Sequence, residues 1–222
     1  MALGSQTHSS RLQDPGAELL DTLTTFWGQY GRFVLAGTGV LVVAGLATFF
    51  TLRTRAANED RAARRLAEAQ VLFWQGDYTR SGDFAKQVVD QFPGTASAHD
   101  AHRVAGDNAF WTTDYAGAVK EYRLFLDKSH PGVLEDVVKR SYAYALEANK
   151  QYKDAIPIYD QLVGRFDREA SGEFLAAGAR CALALGQRDE ALKRYQRILD
   201  EFGDSSYAQV ARVWVGELGG AK

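Results

Sequence analysis

The chain has 222 residues, of which 46% are hydrophobic and 24% charged, and a formal net charge of −2. That apolar content sustains a folded core of one or two domains and excludes wholesale disorder, while the near-neutral balance excludes a basic footprint for nucleic acid. A single cysteine, Cys181, excludes an intrachain disulfide, a redox CxxC pair and a zinc cluster.

Residues 1–32 form a polar N-terminal tail. Its first 15 residues, MALGSQTHSSRLQDP, lack periodicity and read as disordered. From Ala17 to Tyr30, Leu19, Leu20, Leu23, Phe26 and Trp27 recur on one side, the pattern of a short interfacial helix along a membrane face. Phe33 to Leu52 follows without a charge. At 1.5 Å per residue such a run reaches about 30 Å, the thickness of a bilayer's hydrocarbon core. Arg32 closes one end, and Arg53 and Arg55 close the other, where long cationic side chains reach the headgroups. The long run and the acids before it (Asp14, Glu18, Asp21) argue against a cleaved signal peptide, and no cysteine follows to carry a lipid. Residues 33–52 are therefore expected to be an uncleaved transmembrane helix in contact with lipid. Gly37, Leu41, Ala44 and Thr48 make a small-residue seam within it that suits a partner helix.

A basic connector, 53–61, leads into a region of internal repetition, 62–218. Tyr78, Tyr115 and Tyr152 are spaced by 37 residues, and Arg188 takes the fourth place. Three residues on come Ser81, Ala118, Ala155 and Ala191, and near each unit's end Phe92, Ser129, Phe166 and Phe202. A period of this length marks stacked supersecondary units, each unable to bury its apolar faces alone. The units run over about 62–95, 99–132, 136–169 and 172–205. A last helix, 206–218, is started by Asp204, Ser205 or Ser206, stopped by Gly219-Gly220, and covers the end of the array. Pro157 is placed in the first turn of its helix, with Asp154 or a neighbour as its cap. The acid pairs Glu59-Asp60 and Asp189-Glu190 read as helix starts, where the helix dipole favours them. The fold class is all-α: one transmembrane helix, about four helical hairpins and a capping helix.

These residues resemble the tetratricopeptide repeat (TPR) family, whose units are two antiparallel helices, A and B. Gly106, Ala143 and Ala179 take the small helix-A position, Gly76-Asp77-Tyr78 and Asp114-Tyr115 the turn, Ala118, Ala155 and Ala191 the small helix-B position, and Tyr122, Tyr159 and Tyr195 the aromatic four residues on. Pro93 and Pro131 stand near the closing proline; the helix-A Trp of the pattern is absent, and unit one is the most eroded. The resemblance implies a groove lined by the helix-A faces that holds protein or peptide partners. Carried over by register, its candidates are Gln70, Phe73 and Trp74 in unit one, Arg103, Asp107, Phe110 and Trp111 in unit two, Arg140, Tyr144 and Glu147 in unit three, and Arg180 in unit four.

The order of parts is also similar to the YfgM-like group, described as ancillary subunits of the SecYEG translocon. The matching features are Gly31-Arg32 before the anchor, Phe92-Pro93-Gly94, and the tail YAQVARVWVGEL. That likeness implies a single-pass bacterial inner-membrane protein with periplasmic repeats. Its partners would be translocon subunits and periplasmic chaperones, and its role to help hand over exported chains. The count of basic residues disagrees, since Arg53, Arg55, Arg61, Arg64 and Arg65 on the C-terminal side outnumber Arg32 and by the positive-inside rule place the repeats in the cytoplasm. Adaptors for envelope assembly or division, or one facing the cytoplasm, are the alternatives. Catalysis finds no motif: there is no phosphate loop, GxSxG or HExxH, and His99 and His102, three apart, lack a third ligand. Neither an enzyme nor a cofactor is expected. Cys181, in FLAAGARCALALG, reads as a small buried hydrophobe.

Overall fold

The computed structural model describes residues 15–129 and 131–219. Among them are nine helices and no strand: α1 (Pro15–Trp74), α2 (Tyr78–Gln91), α3 (Ala96–Trp111), α4 (Tyr115–Leu126), α5 (Val133–Ala148), α6 (Tyr152–Leu162), α7 (Arg168–Ala184), α8 (Arg188–Glu201) and α9 (Tyr207–Gly219). The chain divides after Arg55 into two compact units. Residues 1–14 of the N-terminal tail, expected to be disordered, lie outside the described residues, as does Gly220.

The interfacial segment, the apolar run, the connector and the first helix A are all one helix, α1, of 60 residues. The reason is local. Pro15 stands at its first position, where a missing N–H is harmless, and no further proline occurs before Pro93. Thr22, Thr48 and Thr51 donate their hydroxyls to the carbonyl four residues back, so polar side chains inside α1 are satisfied without leaving the helix. Residues 32–57 are exposed throughout, and this stretch is long and apolar enough to cross a membrane.

From Ala56 onward the helices form four hairpins and a cap. The recurring tyrosines, with Arg188, are each the first residue of a helix B: α2, α4, α6 and α8. Two positions earlier the backbone turns left-handed at Gly76, Thr113, Lys150 and Gly186, with φ of 82°, 62°, 60° and 73°. One left-handed residue per turn reverses the chain sharply enough to lay B against A, and it explains why the spacing is kept so strictly. Asp77 and Asp114 then cap α2 and α4 by accepting from Arg80 N–H (3.1 Å) and Gly117 N–H (3.0 Å).

Small residues let neighbouring helices close up. Ala118, Ala155 and Ala191 are fully buried, as are Ala143 and Ala179. At Gly106 an added Cβ would lie 2.7 Å from the Tyr122 ring, so only glycine fits there. The core runs in three clusters: Ala62, Leu66, Ala69, Ala85 and Val88 with Ala98, Ala101, Val104 and Ala105; Tyr122, Leu146, Tyr159 and Phe174 with their neighbours; and Leu175, Tyr195 and Ile198 with Ala211 and Leu218 of α9. In the last, Trp214 stacks on Tyr195 with ring centroids 5.9 Å apart.

Four details differ from the sequence-based expectation. Pro157 is the sixth residue of α6, not in its first turn, because the helix begins a turn earlier at Tyr152; it removes one internal N–H from the shortest helix of the array. Asp154 consequently lies inside α6, whose cap position is held by Gln151, with no side-chain bond to the first N–H groups of the helix. Glu59 is not at a helix start but within α1, and its carboxylate accepts from Ala96 N–H (2.7 Å), Ser97 N–H (3.0 Å) and the Ser97 hydroxyl (2.5 Å), closing the N-terminus of α3. At the other end Glu169 serves α9 likewise through the Ser206 N–H and hydroxyl, while the Ser205 hydroxyl turns back to Phe202 O.

Candidate functional site

The helix-A faces of α1, α3 and α5 carry two neighbouring cavities. The larger, about 400 Å³, is lined by Gln70, Phe73 and Trp74 of α1 and Arg103, Val104 and Asp107 of α3. The smaller, about 180 Å³, is lined by Asp107, Phe110 and Trp111 of α3, Tyr122 of α4 and Ser141 and Tyr144 of α5. Asp107 is the wall they share. Eight of the sequence candidates are therefore brought together by the A helices of three successive units. Trp74 is 84% exposed and Trp111 59%, which is unusual for so large an apolar ring unless something covers it. The rings are braced from below: Phe73 meets Tyr78 edge-on at 5.3 Å, and Tyr78 stacks on Trp111 at 5.7 Å.

The charged candidates are less open than the register suggested, because each has a partner. Arg103 donates to Asp100 through two nitrogens and to Asp107 at 3.1 Å. The other Asp107 oxygen accepts from the Tyr122 hydroxyl at 2.8 Å. Burial raises the Asp107 carboxyl above its ordinary value, while Tyr122 and Arg103 pull it back. The Tyr122 hydroxyl is pushed well up, by burial first and then by the charge of Asp107.

Arg140, Glu147 and Arg180 line neither cavity. Arg140 lies over the Phe166 ring at 5.3 Å. Glu147 accepts from the Tyr159 hydroxyl (2.6 Å) and pairs with Arg180 at 3.1 Å, and Tyr144 donates to Glu173 at 2.6 Å. The Arg180 and Glu173 bonds stitch α5 to α7, and the Tyr159 bond ties α5 to α6. The face is thus open between α1 and α5 and bridged between α5 and α7. Tyr122, Ser141 and Glu173 are absent from the register-based candidates. Tyr122 had a signal, as the helix-B aromatic of its unit, but its hydroxyl reaches through the hairpin to the helix-A face.

Other groups capable of chemistry are occupied structurally. His99 Nε2 bonds Phe125 O at 2.8 Å with its ring stacked on Phe125, and His102 Nδ1 meets Glu121 at 2.8 Å. Among the described residues no three His, Cys, Asp or Glu side chains are grouped to hold a metal ion. Cys181 is fully buried, and its thiol is pushed up to about 12, by burial first and then by Glu147.

Comparisons agree with this architecture. The nearly identical TPR-like repeats of a Podosopora anserina kinesin light chain protein, and a single-substitution variant of them, each match with a TM-score of 0.56 at 14% identity. The matches cover 72% of this chain and 86% and 85% of theirs. A tetratricopeptide repeat protein from Parabacteroides merdae matches with a TM-score of 0.59 at 14% identity, over 72% of this chain and 60% of its own. At such identities the likeness is one of fold. No curated protein matches the chain. The model of the tetratricopeptide repeat-like domain matches residues 24–219, nearly the whole chain, and with the hairpins just described it establishes that the chain belongs to that family.

Proposed function

We propose that the chain is a membrane-anchored protein-interaction scaffold whose partner seats on the helix-A faces of α1, α3 and α5. The observation that carries this reading is the pair of exposed tryptophans, Trp74 and Trp111, flanking two contiguous cavities. Tryptophan is enriched where protein interfaces concentrate their binding energy, and repeat arrays present such surfaces by stacking. The uncharged run 33–52, exposed along its length, supports the anchor.

The finer reading is that the protein assists the handling of exported chains beside the Sec translocon, together with periplasmic chaperones, from the bacterial inner membrane. It rests on the likeness to the YfgM-like group and stands against the basic residues that follow the anchor. An adaptor of envelope assembly or division shares the scaffold and differs only in partner. A reporter fused after Lys222 that is active on one side of the membrane decides the orientation. Activity of a periplasm-restricted reporter is the expected result; activity of a cytoplasm-restricted one removes the export role. Photo-crosslinking from positions 111 and 140 then separates translocon components from envelope-synthesis proteins.

A further inference from the structure

We infer that the junction between α2 and α3 holds a binding site for a small organic cation with N–H donors, an alkylammonium or guanidinium head, seated on the side-chain oxygen of Asn108. Two departures from the repeat build this site. Gly82 of α2 stands where the later units have Val119, Ile156 and Leu192, and Asn108 of α3 stands where the next two have Ala145 and Ala182. Both of those alanines are fully buried. A cavity of about 150 Å³ opens where Gly82 lacks a side chain, lined also by Ala105 and Asn108. It has room for about five waters, or for a ligand head of similar size.

Asn108 is only 2% exposed, and its bonds fix which way the amide is turned. Nδ2 donates to Val104 O at 2.7 Å and to Ser81 Oγ at 2.9 Å, and the Ser81 hydroxyl donates in turn to Ala69 O at 2.7 Å. The reverse orientation would set the amide oxygen against the Val104 carbonyl oxygen, two acceptors in contact. Both N–H bonds are thus committed, and Oδ1 accepts from no group among the described residues. A buried acceptor left in that condition costs stability, a cost the next two junctions avoid by holding alanine. The occupant must therefore bring a donor. The rim of the cavity decides its charge. Asp83, Asp114 and Lys86 line it, so two carboxylates face one ammonium. Asp114 spends one oxygen on the Gly117 N–H, and Asp83 has no ion-pair partner among the described residues. That balance favours a positively charged donor over a neutral one. Such a head is common to free amines and to the side chains of lysine and arginine.

The test uses the full chain in lipid nanodiscs with its three asparagines labelled with nitrogen-15. The side-chain amide resonance of Asn108 is identified by its loss in N108A. Methylammonium and methylguanidinium should move that resonance saturably at constant ionic strength. They should bind at least tenfold tighter than formamide, a neutral donor, or tetramethylammonium, a cation without an N–H. At saturation they should raise the melting midpoint of the parent and leave those of N108A and G82V unmoved. Each variant installs what a later unit holds at that position, and an unchanged circular dichroism spectrum shows that the fold persists. No saturable shift, an equal response to formamide or tetramethylammonium, or a midpoint rise that survives in G82V overturns the inference. So does a K86Q chain whose Asn108 resonance moves with no cation added, since Lys86 is then the occupant. Acetyl-lysine methylamide separates the two sources of the head. Tighter binding than methylammonium points to a partner's side chain and weaker binding to a free amine, and either supports the site.

Discussion

Three tyrosines in one register have unequal surroundings. Tyr122 and Tyr159 donate to Asp107 and Glu147. The Tyr195 hydroxyl is buried with no partner among the described residues, because α7 offers Arg180 and Leu183 where the other units offer an acid. Removing a donor that satisfies a buried acceptor costs more than removing an orphan. Y122F and Y159F should each destabilise the repeats by about 1–3 kcal/mol, and Y195F should be neutral or stabilise by up to about 1 kcal/mol. Thermal melts followed by circular dichroism would show this as two lowered midpoints and one unchanged or raised. The left-handed turn residues give a second test. Thr113 and Lys150 occupy a conformation that glycine holds at positions 76 and 186. For a residue with a Cβ that conformation costs about 1–2 kcal/mol, so T113G should raise the melting midpoint despite the added freedom of the unfolded chain.

Helix termini tie one unit to the next. Glu59 closes α3 and Glu169 closes α9, each acting across 37 residues. Loss of such a cap costs about 1 kcal/mol, which is the expected effect of E59A on the melting of the repeats. The Glu59 carboxyl is held below its ordinary 4.5, first by the Ser97 hydroxyl and, against the opposing effect of desolvation, by the N–H groups of Ser97 and Ala96. A depressed folded value means that the contribution is present above about 4.5 and is lost as pH falls through the lower folded value. The acid-induced fall in melting midpoint should therefore be shallower in E59Q than in the parent, and an identical pH profile would remove Glu59 from this role. The hairpins themselves were legible in the sequence because their turns repeat a backbone requirement at fixed spacing, with Tyr78, Tyr115 and Tyr152 as its visible mark. The Glu59 cap was not, since nothing local to Glu59 indicates a partner 37 residues away. The start of α6 was hidden for a related reason: Pro157 suggested a first turn, and packing of Ala155 and Tyr159 carries the helix a turn further back.

At the scale of the whole molecule, the sequence made the order of parts readable: an apolar helix, repeats, and a cap. What it left open was which part of the helix-A faces is accessible. Register alone proposed candidates along all four units, yet Tyr144–Glu173 and Glu147–Arg180 bridge the later ones, and such long-range pairs have no signature in a single chain. The cap also has a measurable role. Trp214 covers Tyr195, so W214A should lower stability by about 3 kcal/mol and act mainly on the last hairpin, as a melting midpoint set against that of the parent would show.

Glutamates from the preceding unit close α3 and α9, Asp167 caps α7 from within, and α5 alone of these four helices has no side-chain cap among the described residues. Helix α5 begins after Gly132, and among the described residues no side chain accepts from its first N–H groups; the acids of its first turn are drawn sideways, Glu135 to Lys139 and Asp136 to Arg165. The first turn of α5 is consequently less well held than those of α3 and α9, although α4 and α5 share one core. Amide exchange in the first turn of α5 should outrun that of α3 and α9. Opening of that turn would be a local event, one that loosens the entry to α5 while the shared core keeps the hairpins on either side together.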